Sequence, residues 1–307
     1  MKKNIFISYE RQHGISEYFA GAEARGLAFP LFAGLDKSAK FRRLLIAISL
    51  RFQINFLYRL LLGRWKNELS GLESIVFTAN REAMPAIAWL TTHYPEIRLH
   101  VFYLNPLKNE PVQLSDWADY PVKIWTFDKN DAEKYHLSLT VQPLSKEFFE
   151  AVSTDEILWD VVFVGDDKKR LPQLLDIQEK LEKKQLTTHF HITSTYLPNR
   201  TAGRSYAYEQ PMSYQSVIQL YAQSRAVLEI LQAGQQGSTM RAIEAGYIGK
   251  KLITTNADVV NASYYRANNI FLLTAENSAE IPEFLDLPYD DSFDYGIYEM
   301  ANWLKQF

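Results

Sequence analysis

Short runs rich in β-branched and aromatic residues alternate with longer helical stretches along nearly the whole chain, and this rhythm limits the fold more than any other feature. "NIFISY" (4–9), "SIVFT" (74–78), "LHVFYL" (99–104) and "VKIWTF" (122–127) read as strands of a first half. "DVVFVG" (160–165), "THFHIT" (188–193), "AVLEIL" (226–231), "KLITT" (251–255) and "NIFLL" (269–273) read as strands of a second. Helical patterns fall between them at 15–27, 41–62, 81–92, 169–184, 212–223 and 238–247. Strands that are apolar on both faces and joined through helices belong to parallel sheets covered on both sides. The expected fold is α/β, with two doubly wound domains facing a cleft. The rhythm breaks in "VQPLSKEFFEAVSTDEILW" (141–159), which sets the domains at 1–145 and 146–307. The aromatic segment 292–306 is expected to form a last helix that packs back on the first domain.

Composition narrows the function. With 307 residues the chain exceeds the size at which one core usually stops growing. An apolar content of 47% with 22% charge is that of an ordinary globular protein. The absence of cysteine excludes disulfides, thiolate catalysis and Cys-based zinc sites. A formal net charge of −3 gives no reason to expect a nucleic-acid partner. The first apolar run is too short for a signal sequence and is soon broken by Glu10 and Arg11, so a cytoplasmic location is expected.

In open parallel sheets, ligands sit beyond the carboxyl ends of the strands. Two stretches of the second half fall there. In "GQQGSTMRAIEAG" (234–246) a loop, Gly234-Gln235-Gln236-Gly237, opens a helix. Glycines allow close backbone approach and the helix N-terminus offers free N–H groups, a natural seat for a phosphate. Ser238 or Thr239 can cap the helix, and Glu244 lies a turn and a half inside it, where a carboxylate can accept two hydrogen bonds from a ribose diol. The plainer alternative is a capped strand–turn–helix connection with an exposed Glu. In "VGDDKKR" (164–170), Gly165 ends a strand, and Lys168 and Arg170 can neutralise a diphosphate, Arg170 through two parallel bonds. The alternative there is a solvated charge cluster, with Asp166 and Asp167 capping the next helix. No G-x-G-x-x-G follows a strand, no Walker-type loop occurs and no D-x-D pair is present. These absences disfavour a dinucleotide cofactor, an ATPase and a metal-held diphosphate. The expectation is a nucleotide-diphosphate substrate bound without metal or other cofactor, its leaving charge met by a helix N-terminus, Lys and Arg.

Two stretches of the first half bear on the rest of the reaction. "YERQHGISEYF" (9–19) follows the first strand, making His13 and Glu17 candidate catalytic bases; the alternatives are a turn histidine and a first-turn helix carboxylate. In "FRRLLIAISLRFQINFLYRLLLGRWK" (41–66), Arg51, Asn55 and Arg59 form a narrow polar stripe on a largely apolar helix. It reads either as a core helix or as an interfacial helix in peripheral contact with the inner membrane surface. His189 and His191 share one strand face, a spacing that suits metal but lacks a carboxylate partner.

With those residues in view, the stretch from "WDVVFVGDDKKRLPQLLDIQEKL" through "MSYQSVIQLYAQSRAVLEILQAGQQGSTMRAIEAGYIGKKLITTNADV" to "NIFLL" resembles the C-terminal domain of GT-B type bacterial glycosyltransferases. It is most similar to those of lipopolysaccharide and capsular polysaccharide biosynthesis. Gly165, Asp167, Lys168 and Arg170 match that group's G-x-D-K-x-R pattern; Gly234, Gly237, Arg241, Glu244 and Ala245 match its Gly-x-x-Gly loop and R-x-x-E-A helix. "VKIWTFDKNDAEKYHL" (122–137) looks like the segment near the interdomain linker, and the resemblance covers about two-thirds of the chain, mainly 120–275. It implies two Rossmann-like domains, an N-terminal one for the acceptor and a C-terminal one for the nucleotide sugar. It further implies that Glu244 binds the donor ribose, the 234–239 loop the diphosphate, and Lys168 with Arg170 its charge. The implied activity is hexosyl transfer to a hydroxyl of a saccharide or lipid-linked saccharide. A non-catalytic nucleotide- or sugar-binding protein and a nucleotide-sugar epimerase of the same architecture are the alternatives.

Overall fold

The computed structural model describes residues 3–8, 15–34, 40–150, 152, 156–194, 200–201, 204–231 and 239–307. The chain divides into two compact units, Met1–Phe148 with Tyr298–Phe307, and Phe149–Ile297.

The first unit is built on a six-stranded parallel sheet. Its strands are β1 (Lys3–Ser8), β2 (Ala28–Pro30), β3 (Leu72–Thr78), β4 (Arg98–Tyr103), β5 (Val122–Thr126) and β6 (Ser138–Leu139), in the order β2-β1-β3-β4-β5-β6. The helices are α1 (Ile15–Ala24), α2 (Lys40–Arg51), α3 (Asn55–Leu61), α4 (Met84–His93), α5 (Lys129–Tyr135) and α6 (Lys146–Glu150), the last running across the division between the units. The central strands are buried almost end to end, as strands covered on both faces must be. Their side chains join Trp65, Ile87 and Leu90 in one core. The expected long helix 41–62 is two helices, because Gln53 turns left-handed at φ +51° and the chain reverses there.

The second unit carries β7 (Trp159–Asp166) and β8 (Thr188–Thr193), then a two-stranded antiparallel ribbon, β9 (Arg200–Thr201) with β10 (Arg204–Ser205). β11 (Ser224–Glu229), β12 (Lys251–Thr254) and β13 (Ile270–Leu272) complete a five-stranded parallel sheet in the order β13-β12-β11-β7-β8. Its helices are α7 (Leu171–Glu182), α8 (Tyr214–Ala222), α9 (Met240–Tyr247) and α10 (Ile281–Asp286). Two of them start on side-chain caps: Ser213 Oγ accepts from the Ser216 N–H at 3.1 Å, and Thr239 Oγ1 from that of Ala242 at 3.4 Å. The chain leaves β7 towards β8 and returns to β11 on the other side of β7. The β7–β11 pair is therefore the point where the strand order reverses, the place where doubly wound sheets open a crevice.

Residues 292–306, expected as one helix, form two 3-10 turns around the four-residue α11 (Met300–Trp303). Among the described residues no helix is long and apolar enough to cross a membrane.

Candidate functional site

At the β7–β11 reversal lies a cavity of about 410 Å³. It is lined by Gly165 and Asp166 from the end of β7, by Lys168 and Arg170 from the turn that follows, and by Glu229 and Ile230 at the end of β11. Thr239, Arg241 and Glu244 of α9, with Tyr214 and Tyr221 of α8, close the other side. Both charged motifs singled out in the sequence thus meet at one sheet edge.

Each side chain is placed by a local reason. Gly165 sits at φ +153°, and a Cβ there would come within 3.4 Å of the Arg241 guanidinium. Arg241 donates to Val164 O at 2.7 Å and to the Tyr221 hydroxyl at 3.1 Å. Lys168 and Lys169 are both left-handed, at φ +42° and +67°, a conformation that costs a non-glycine residue about 1–3 kcal/mol. The turn is held by its neighbours: the Asp167 N–H donates to Thr193 O at 2.9 Å, and the Tyr208 hydroxyl donates to the Asp167 carboxylate at 2.8 Å. Strain of this kind, confined to a turn that presents a cation to a cavity, is typical of a binding site.

The cations are not equivalent. Arg170 spends its guanidinium on the backbone, donating to Asp166 O at 2.9 Å, to Asp167 O at 3.2 Å and to Ile230 O. It ties the ends of β7 and β11 together, so the expected two-bond clasp on a phosphate gives way to a structural clasp that still lends its charge to the cavity. Lys168 forms no ion pair with a carboxylate among the described residues. Burial depresses its ammonium pKa, Asp166 opposes that, and the Arg170 and Arg241 charges add to the depression. The cluster gains by taking up an anion.

Glu244 is 3% exposed, and its Oε1 has no hydrogen-bond partner among the described residues. Burial raises its pKa to about 8. A carboxyl enclosed beside a cavity without a partner is a functional-site signature, because it costs stability that no internal contact returns. Glu229, by contrast, is fully engaged: its carboxylate accepts from the Thr239 hydroxyl and, at 2.5 Å, from that of Thr254. Thr239 is the N-cap of α9, and no acidic side chain occupies the first turn of that helix. The Thr239 side chain takes the Ala242 N–H, and the positive end of the helix dipole faces the cavity without an acidic neighbour in that turn.

Other expected site residues fall elsewhere. Asp167 does not line the cavity; its side chain secures the turn through Tyr208. Gly234, Gln235, Gln236, Gly237, Ser238 and His13 lie outside the described residues, and Glu17 is placed within α1. Sequence reasoning missed Tyr214, Tyr221 and Glu229. The signal for Glu229 was present, a lone charge inside the apolar run "AVLEIL". That for the tyrosines was a seven-residue spacing on α8, which also fits a helix face packed in a core. His189 and His191 stack with centroids 6.5 Å apart, and among the described residues no three His, Asp or Glu side chains gather as a metal set.

The first unit holds a larger cavity, about 580 Å³, among Arg98, His100, Lys123, Trp125 and Phe307. It opens at the amino ends of β4 and β5, the edge that parallel sheets seldom use for ligands. Burial, with Arg98 and Lys123 adding to it, lowers the His100 pKa to about 4.

No protein-family model matches the sequence, and no curated protein matches it. Among solved structures the chain is similar to an α-glucosyltransferase in complex with UDP and a 13-mer DNA containing an HMU base. The TM-score is 0.50 at 11% identity, over 99% of this chain and 95% of that one. A sucrose-phosphate synthase from Thermosynechococcus elongatus matches with a TM-score of 0.48 at 10% identity, over 99% and 92% of the two chains. The first likeness establishes a shared fold, an α/β chain of two helix-flanked parallel sheets. The chemistry has to come from the site.

Proposed function

We propose that the protein is a glycosyltransferase that moves a hexose from a nucleotide diphosphate to an acceptor hydroxyl. The observation that carries this reading is the buried Glu244 carboxyl, whose Oε1 has no hydrogen-bond partner among the described residues, at a cavity that also gathers Lys168, Arg170, Arg241 and the N-terminal end of α9. A ribose diol donates to the first and a diphosphate answers the rest. The UDP held by the α-glucosyltransferase of like fold makes a uridine nucleotide the first donor to test.

In the proposed reaction the acceptor oxygen attacks the anomeric carbon while the bond from that carbon to the diphosphate oxygen breaks. Charge grows on the diphosphate, and Lys168, Arg241 and the α9 amides stabilise it more in the transition state than in the donor. They do so in place of a metal ion. In an inverting reaction the acceptor's proton passes to a base on the first unit, for which His13 and Glu17 are our candidates. The resemblance of 165–170 and 234–245 to lipopolysaccharide and capsule transferases supports a cell-envelope saccharide, free or lipid-linked, as the acceptor. Calorimetry with UDP tests the reading. Glu244→Ala is expected to weaken binding by about 1–3 kcal/mol, and unchanged affinity removes the ribose role. Donor turnover only in the presence of a saccharide acceptor separates transfer from epimerisation and from simple binding.

A further inference from the structure

The α2–α3 hairpin of the first unit has two faces with different fates. Ile46, Ser49, Tyr58 and Leu61 are buried. Leu45, Leu50 and Leu57 pack partly on the same core, and the Tyr58 hydroxyl donates to Glu82 O at 2.5 Å. The opposite side carries Phe41, Leu44, Phe52, Ile54, Phe56 and Leu60, all exposed; Phe41, Phe52 and Phe56 are 70% exposed or more. Residues 51–56, the tip of the hairpin, are exposed without a break. The inner face already fixes the hairpin on the sheet, so folding of the unit does not explain the outer one. Scattered apolar side chains need no explanation, but six on one hairpin do.

Charge identifies what covers them. From residue 40 to residue 66 the chain has seven cations, Lys40, Arg42, Arg43, Arg51, Arg59, Arg64 and Lys66, and no Asp or Glu, in a protein of net charge −3. Arg64 pairs with Glu23 at 3.4 Å, and Lys66 donates to the last carbonyls of α3 at 2.8 and 3.1 Å. Lys40, Arg51 and Arg59 are exposed and form no ion pair with any described residue. A second copy of the chain would set this uncompensated positive charge against itself across a twofold contact. An acidic lipid surface meets both requirements at once: its acyl boundary takes the aromatic tip and its phosphates take the cations.

We propose that the α2–α3 hairpin docks the protein on anionic phospholipid membranes, with Phe52, Ile54 and Phe56 inserted at the headgroup boundary and Lys40, Arg51 and Arg59 against the phosphates. The inference is independent of the transferase reading, since no residue of the hairpin lines the Glu244 cavity.

The test is flotation of the full chain with vesicles of phosphatidylcholine alone or mixed equally with phosphatidylglycerol. Binding is expected on the mixed vesicles and to weaken with added salt. Arg51→Gln/Arg59→Gln should cut it by roughly tenfold or more, at about 1 kcal/mol per basic residue. Phe52→Ser/Phe56→Ser should abolish it, while both variants, changed only at exposed positions, keep the wild-type unfolding temperature. Equal partition onto neutral vesicles, or undiminished binding by the Phe52→Ser/Phe56→Ser variant, overturns the proposal. So does lipid-free self-association that this variant abolishes, which would make a second copy the occupant. None of these results touches nucleotide binding, which is read separately with UDP.

Discussion

Glu244 makes the most exposed test of the site because its pKa ties stability to pH with a definite sign. Below the ordinary carboxyl value near 4.5 the group is protonated in the folded and the unfolded chain. Between there and about 8 the unfolded chain gives up the proton that burial makes the folded chain keep, so rising pH favours unfolding; above about 8 the effect levels off. Unfolding temperatures should therefore fall from pH 5 to pH 8, and Glu244→Gln should flatten the part of that slope this residue causes. A profile identical in both proteins would show that Glu244 is not held protonated. The neighbouring cations separate by a different measurement. Arg170 serves three backbone carbonyls, so Arg170→Ala should cost about 2–3 kcal/mol of stability through stranded acceptors. Lys168→Ala strands nothing and should leave stability within about 0.5 kcal/mol. It should instead weaken UDP by roughly tenfold through one lost charged contact. Denaturant titration and calorimetry on the two variants distinguish the roles, and a stable Arg170→Ala protein would contradict the clasp.

Among the elements, α9 matters most to the site, and its position depends on Gly246. A Cβ at Gly246 would lie 2.1 Å from the Tyr295 ring, and the Tyr289 hydroxyl donates to Gly246 O at 3.2 Å. Two effects oppose each other in Gly246→Ala. Alanine improves helix propensity by about 1 kcal/mol, whereas overpacking a closed contact costs about 1–3 kcal/mol. Because the ring cannot share that space, overpacking should win: thermal unfolding should show net destabilisation and calorimetry weaker UDP binding as α9 is displaced. Elements like α9 were readable in the sequence because a glycine loop and a Ser-Thr cap announce its start, and β8 runs over 188–193 as its β-branched and aromatic content predicts. The hairpin of α2 and α3 was not readable. Its break at Gln53 contains neither Gly nor Pro, and the turn is imposed by two apolar faces seeking one core. The same limit applied in the site: the loop and helix motifs brought Lys168, Arg170, Thr239 and Glu244 to notice, and the family resemblance Arg241, but only three dimensions show Arg170 and Asp167 spent on the turn.

At the scale of the whole molecule, the units have separate cores, and the chain ends in the one it began in. Trp303 is fully buried against Phe6 and Phe102, with centroids at 5.6 and 5.3 Å, and its Nε1–H donates to Val141 O at 2.7 Å. Asn4 donates to Leu304 O at 2.7 Å, the Leu144 N–H donates to Tyr298 O at 2.7 Å, and the Met300 N–H donates to Leu144 O at 2.8 Å. The last ten residues are thus part of the first unit's core, not a tail of the second. Trp303→Ala should remove about 3–5 kcal/mol, the usual cost of emptying a buried tryptophan site. The loss should fall on one unit. UDP supplies the opposite perturbation, because a ligand at one hundred times its dissociation constant stabilises the unit that holds it by about 2.7 kcal/mol. Hydrogen exchange in Trp303→Ala should therefore show protection lost in β1, β3 and β4 and kept in β7, β11 and β12. Added UDP should raise protection in the second set and leave the first unrestored. If the substitution lowers protection in both sets equally, the two cores unfold as one cooperative body, and UDP should then rescue β1 together with β7.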